Sequence, residues 1–218
     1  MTDKPVPWSE QSEGHDPTDP RDIYAQREQH LELEALDYAR TVLLSGCECV
    51  LCFDEAQVPI RYVIDPANGR LVAPVPVASI LASENILHVP EHTDDALHLL
   101  LSPEQIERGA ITDRWQVYWG EPEHVRWAAY WIDSAKHGPW VFDGDALMQP
   151  NPLADNEPRL CAQLNADPPK LRALCKQHAD IDIESPIAVG VDPTGIHIRA
   201  RYSILHLPIT PEDLGLTK

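Results

Sequence analysis

The sequence predicts an α+β fold in which antiparallel strands close or half close a barrel, with helices at its edges. Three observations carry this. A run of extended segments joined by short turns fills the middle of the chain. Helix signals flank that run instead of alternating with each strand. A helix followed by a small strand set ends the chain.

The leading helix is predicted to start at Asp19-Pro20, a capping residue followed by proline at the first helical position. Leu33, Leu36, Ala39 and Leu43 then recur at spacings of three and four and give one apolar stripe. Gly46 is a good stop. Three strands follow as a meander: Cys47–Phe53, Pro59–Ile64 and Arg70–Val77. Asp54–Gln57 makes the first turn. Asp65-Pro66-Ala67-Asn68-Gly69 makes the second, with Asn-Gly supplying the left-handed positions.

Ala78–Leu87 reads as a short helix, and Ala96–Leu101 and Trp115–Gly120 as strands. Ser102-Pro103-Glu104 reads as the start of a helical turn between them. Glu121–Ala135 reads as helical, with Val125, Ala128, Ala129 and Ile132 as its stripe. Asp143–Asn156 is rich in turn formers and separates two parts. Beyond it, Pro168–His178 reads as a helix with Leu171, Leu174 and Cys175 inward. Ile187–Val191, a turn at Asp192-Pro193-Thr194-Gly195, Ile196–Ala200 and Ser203–Pro208 complete the strand set. The predicted division is an acidic, proline-rich arm over 1–20, a barrel domain over 21–150 and a small α+β domain over 151–218.

The chain has 218 residues, long enough to bury roughly 70% of its unfolded surface without metal or disulfide staples. It carries 35 acidic and 17 basic residues, a net charge of −18. That excess argues against a nucleic-acid face, which needs clustered Lys and Arg, and against an anionic membrane surface. No apolar run approaches a membrane span. Met1–Glu13 is polar and lacks the apolar segment of a signal peptide. Five cysteines without such a signal fit a reducing, cytoplasmic setting.

Several groupings invite a chemical reading. Cys47, Cys49 and Cys52 lie close in sequence, but on a strand Cys52 faces away from the other two, so buried thiols are the better reading than a metal centre. His88-Val89-Pro90-Glu91-His92 spells an inverted zinc-protease motif, yet Pro90 would break the helix that motif requires. His88, His92 and His98 can instead form a loop metal site or a plain polar loop. Trp115 with Trp119, and Trp127 with Trp131, each share a face. They suit core packing or a subunit interface, or a stacking surface for a flat cofactor. Arg61, Arg70 and Arg114 are scarce bases suited either to ion pairing or to a phosphate. Asp143 and Asp145 read as solvated turn acids. No dinucleotide fingerprint, phosphate loop or nucleophile elbow is present.

From about Leu36 to Trp131 the chain resembles the FMN-binding split barrels of the pyridoxamine 5'-phosphate oxidase-like proteins. The helix-then-meander order carries the likeness. So does PIRYVIDPANGRLVAPVPVAS, a strand, an Asp/Gly turn and a strand ending near a Ser. Arg114-Trp115-Gln116-Val117, followed by Gly120, is similar to a later family strand. The resemblance implies an antiparallel split β-barrel with flanking helices and a smaller C-terminal α+β domain. It further implies a homodimer and an FMN-dependent oxidoreductase of unknown substrate. Arg61, Ser79, Arg114 and Gln116 are the implied cofactor-binding residues, with no catalytic residue or metal assigned. The tail from Leu160 resembles the C-terminal domain of heme-utilisation split barrels. That likeness implies heme as an alternative cofactor, with His178, His197 or His206 as axial ligand. Pro168 stands where that domain has His, and Ile80 where the barrel family has a base. A binding protein that has lost flavin is the non-catalytic alternative.

Overall fold

The structure, a computed structural model, describes residues 20–123, 126–201, 203–210 and 212–215. The expected arm over 1–20 lies almost wholly outside them, as does Val125. Helix α1 runs Pro20–Ser45. The chain from Ala35 onward forms one compact unit, distinct from 1–34. Within α1, Ala39 and Leu43 are buried, whereas Leu33 stays exposed.

The main sheet has eight antiparallel strands. They are β1 (Glu48–Phe53), β2 (Ala56–Arg61), β3 (Val63–Ile64), β4 (Leu71–Val75), β5 (Asn85–Val89), β6 (Leu97–Ile106), β7 (Arg126–His137) and β8 (Trp140–Asp143). Their order is β2-β1-β5-β6-β7-β4-β3, with β8 also on β7. The sheet curls until β2 at one edge meets β4 near the other, giving a split-barrel-like half-barrel. Inside lie Leu51, Leu71, Leu87, Leu99, Tyr130 and Ile132 with Ala39 and Leu43 of α1. The expected strand Pro59–Ile64 breaks at Tyr62 into β2 and β3, which pair with β1 and β4 at opposite ends of the sheet order, while the two marked turns of the expected meander hold. Asp65 accepts from Ala67 N and Asn68 Nδ2, and Gly69 sits at φ 77°. A Cβ at Gly69 would run into the Met148–Gln149 backbone.

The structure corrects several further expected elements. Trp115–Gly120 is not a strand: it closes helix α3 (Ala110–Trp119). Trp115 and Tyr118 point inward at helical spacing, and Val117, the centre of the expected strand face, is exposed. The expected helix over Glu121–Ala135 is instead largely strand β7. Its even-numbered residues Ala128, Tyr130 and Ile132 face the barrel interior, and Trp127 and Ala129 face α3. Burial on both faces erases the alternation that marks a strand. Ser102-Pro103-Glu104 lies within β6, opposite Trp131, Tyr130 and Ala129 of β7. An extra residue at Asp133 bulges β7 between the partners of Leu100 and Leu101.

The expected short helix shrinks to α2 (Val77–Leu81), and its C-terminal part becomes β5. After α4 (Gly144–Leu147) come α5 (Glu157–Asn165) and α6 (Pro168–Ala179). Asp167 caps α6 by accepting from Lys170 N at 3.1 Å, and Pro168 takes the first helical position as expected. A second sheet, β9 (Ile187–Asp192), β10 (Gly195–Arg199) and β11 (Ile204–Leu207), packs on α5 and α6 around Leu160, Leu171, Ile196 and Ile198. Val189 of β9 joins Trp115, Tyr118, Trp127, Val63 and Val72 in a third apolar cluster. That cluster joins the second sheet to the outer face of the half-barrel. Among the described residues no helix is long and apolar enough to cross a membrane.

Candidate functional site

A cavity of about 390 Å³ opens where the end of α1, β3, α3, the loop 149–152 and the β9–β10 turn converge. Leu44, Val63, Ile64 and Val191 give it an apolar wall, and Cys47, Arg114, Tyr118 and His197 bring polar groups to it. A mostly apolar cavity with a few converging polar groups is the usual form of a small-molecule site.

The β9–β10 hairpin builds one side. Asp192 Oδ1 accepts from Thr194 N, Thr194 Oγ1 and Gly195 N, which folds the turn. Its other oxygen, Oδ2, lies 2.8 Å from His197 Nε2, with both side chains buried. On the far side of the ring, Nδ1 is 3.9 Å from the Cys47 Sγ. Burial alone would lower the His197 pKa. The bond to Asp192 and then the Cys47 contact overcome it and hold the group at about 9. Burial would likewise raise Asp192, yet the His197 and Thr194 hydrogen bonds keep it below the ordinary carboxylate value. Both directions describe one ion pair, an imidazolium held against a carboxylate. Beside it, His206 is pushed down to about 4, first by burial and then by the His197 charge.

Arg114 builds the other side. Its guanidinium grips Glu157 through two bonds of 2.6 and 2.7 Å and donates to the Tyr118 hydroxyl at 3.1 Å. Glu157, at the start of α5, is buried and also accepts from Val191 N at 2.9 Å. This ties α3, α5 and β9 together. Burial opposes the Arg114 charge, but Tyr118 and Glu157 outweigh it and raise the pKa further. Gly190 makes room: the Tyr118 hydroxyl occupies the space its Cβ would take.

The four residues expected to bind a cofactor do not share one cavity. Arg114 lines the one described. Arg61, at the end of β2, pairs with Glu48 at 2.8 Å and lies over the Trp119 ring at 4.7 Å. Ser79 is fully buried in α2 and donates to Pro76 O at 2.8 Å. Gln116 donates to Glu121 at 2.7 Å. Arg70 bonds Glu104 and Ala129 O and stacks on Trp131. Of the histidines named as possible axial ligands, His178 is exposed at the end of α6, and His197 and His206 adjoin each other. Asp192, His197 and His206 bring ligand atoms within 4.8 Å of one another, the spacing of a small metal site.

Sequence reasoning missed Glu157 and Tyr118 as site residues. Glu157 lies 43 residues from Arg114 on another element, and Tyr118 meets Arg114 four residues on only because Trp115–Gly120 is helical and not the expected strand. Asp192 folds the expected turn, and its second role depends on a histidine five residues on, across the hairpin.

No family model matches this chain, and no curated protein matches it. Among solved structures, the chain is similar to Atu2129, a protein of unknown function from Agrobacterium tumefaciens str. C58. The identity is 14% and the TM-score 0.65, over 84% of this chain and 92% of that one. A second solved chain aligns over 53% of this chain and 97% of its own at 16% identity and a TM-score of 0.43. At such identity the likeness to Atu2129 is one of fold: the half-barrel and the smaller second sheet are an arrangement found in an experimentally determined protein.

Proposed function

We propose that this chain binds a small molecule in the cavity beside His197, and that the ligand is flat, partly apolar and anionic at one end. The observation that carries this is the gathering of Arg40, Arg114 and His197 at one mostly apolar cavity, in a chain with 35 acidic and 17 basic residues. Each cation is already oriented. Glu157 holds Arg114, Asp192 holds His197, and Arg40 donates two bonds to the Ala146 carbonyl at 2.8 and 3.0 Å and pairs with Asp37 of the cavity wall at 3.1 Å. Preorganised donors lose little freedom on binding.

Flavin mononucleotide has this form, and the split-barrel-like half-barrel supports it as the first candidate. The apolar wall suits the ring system, and the oriented cations suit the phosphate. When bound, the flavin would supply hydride transfer, and the chain would bind, orient and shield it. In this reading Arg40 and His197 join Arg114 at the phosphate, in place of Arg61, Ser79 and Gln116. Heme is the second reading, favoured by His206, whose ring lies 5.1 Å from that of the cavity-lining His197.

The test is a spectroscopic titration of the purified full chain with FMN and with hemin. Flavin binding is expected to quench flavin fluorescence, and Arg40→Gln to weaken it about tenfold, the loss of one charge-assisted contact. Arg61→Gln is expected to change nothing. Spectra unchanged by either cofactor would sink the cofactor readings. Loss of binding in Arg61→Gln alone would move the ligand to the barrel face near Trp119.

A further inference from the structure

The half-barrel carries a second cluster, apart from the cavity, on the sheet face opposite Leu51, Leu87 and Leu99. Cys52 of β1 and His88 of β5 lie on adjacent paired strands, with Val50 opposite His88 and Cys52 opposite Ile86. His98 of β6 pairs directly with His88, and their rings meet edge to face at 4.6 Å. The loop after β5 folds back so that the His92 ring lies 4.1 Å from that of His88. The helix that the H-x-x-E-H motif requires is absent, as Pro90 leads one to expect: His88 is in a strand and His92 in the loop beyond it. The two histidines meet all the same.

We propose that Cys52, His88 and His92 form a binding site for a zinc-class cation. Their ligand atoms all lie within 4.8 Å of one another. Zinc with bonds of about 2.0–2.3 Å sets tetrahedral ligands roughly 3.3–3.8 Å apart, so a small rotation of the exposed His92 completes the set. An independent observation points the same way. His88 is 5% exposed, and its Nδ1 is buried without a hydrogen-bond partner. Buried ring nitrogens are ordinarily bonded. A bare nitrogen on a buried ring that neighbours a thiol and a second imidazole has the surroundings of a ligand. A bound cation would deprotonate the Cys52 thiol.

The donor set selects the ion. Two imidazoles and a thiolate suit Zn²⁺ and disfavour Mg²⁺ or Ca²⁺, which take oxygen. Three protein ligands leave one tetrahedral position, and the exposure of His92 places it toward solvent. The site can therefore accept an exogenous fourth ligand. His98 is a positioning residue here. Its Nε2 contacts Thr93 O at 3.1 Å, which pins the loop carrying His92.

The test is titration of the reduced, tag-free full chain with Co²⁺, followed by Zn²⁺. One equivalent of Co²⁺ is expected to give a thiolate-to-cobalt charge-transfer band, which Zn²⁺ then removes. Cys52→Ser should abolish the band with the other four cysteines intact. His92→Asn should weaken Zn²⁺ binding by at least about tenfold. Both positions are at least partly exposed, so the variants should keep the far-ultraviolet circular dichroism of the parent chain. Absence of the band in the parent chain would overturn the proposal. So would a band and an affinity that survive Cys52→Ser.

Discussion

His197 and Asp192 are joined by a 2.8 Å contact between buried groups, and the same Asp192 carboxylate folds the β9–β10 turn through its other oxygen. One side chain thus sets the hairpin and the charge state of the cavity. A substitution there cannot separate the two roles, but pH can.

His197 has a folded pKa of about 9 against an ordinary value of 6.5. A histidine raised on folding contributes stability that is fully present below 6.5 and is lost as pH rises through about 9. The parent chain is therefore expected to lose stability across that window. His197→Gln should be less stable than the parent at pH 6, with the gap narrowing toward pH 9 (melting temperature as the readout). A gap that stays constant across the window would show that His197 is neutral in the fold.

His206 and His88 act in the opposite direction on the acid side. Both are lowered to about 4, His206 by burial and the His197 charge, His88 by burial and its neighbouring imidazoles. Their neutral forms suit the fold, so stability present above 6.5 is lost as pH falls toward 4. His206→Gln should flatten this acid decline in melting temperature. It should leave the alkaline one in place, because Asp192 still holds His197.

The Arg114–Glu157 pair is expected to behave as a buried salt bridge. Arg114→Met leaves Glu157 buried without its counter-charge and should cost about 3–5 kcal/mol in urea unfolding. Adding Glu157→Gln removes that charge yet keeps an oxygen for Val191 N. The double variant should then be more stable than Arg114→Met alone. Equal stability of the two would mean that Glu157 relaxes into solvent when its partner is lost.

The barrel was largely legible in the sequence, because its first strands are joined by marked turns such as Asp65–Gly69. Legibility failed at α3 and β7, for one physical reason. Trp115, Val117 and Trp119 alternate like a strand, while Trp115, Tyr118 and Trp119 are also spaced like a helix. In β7, Trp127, Ala128, Ala129 and Tyr130 are buried in succession on both faces, so the period of two is lost there. The candidate site was less legible than the fold. Cys47 and His197 are 150 residues apart and meet through tertiary packing. Arg114 was found because bases are scarce, whereas Glu157 was hidden among 35 acids.

Gly190 gives the sharpest test of how the cavity wall is assembled. It lies in β9 opposite His197, and a Cβ there would collide with the Tyr118 hydroxyl and press on the Arg114 guanidinium at 3.2 Å. Gly190→Ala should displace Tyr118 and cost roughly 1–3 kcal/mol, as forced overpacking does. Tyr118→Phe removes the colliding oxygen, so the double variant Gly190→Ala/Tyr118→Phe should recover part of that loss in urea unfolding. Tyr118→Phe alone should lose only the hydrogen bond from Arg114, about 1 kcal/mol. If the second substitution rescues nothing, the collision is not with the hydroxyl, and α3 does not approach β9 through Tyr118.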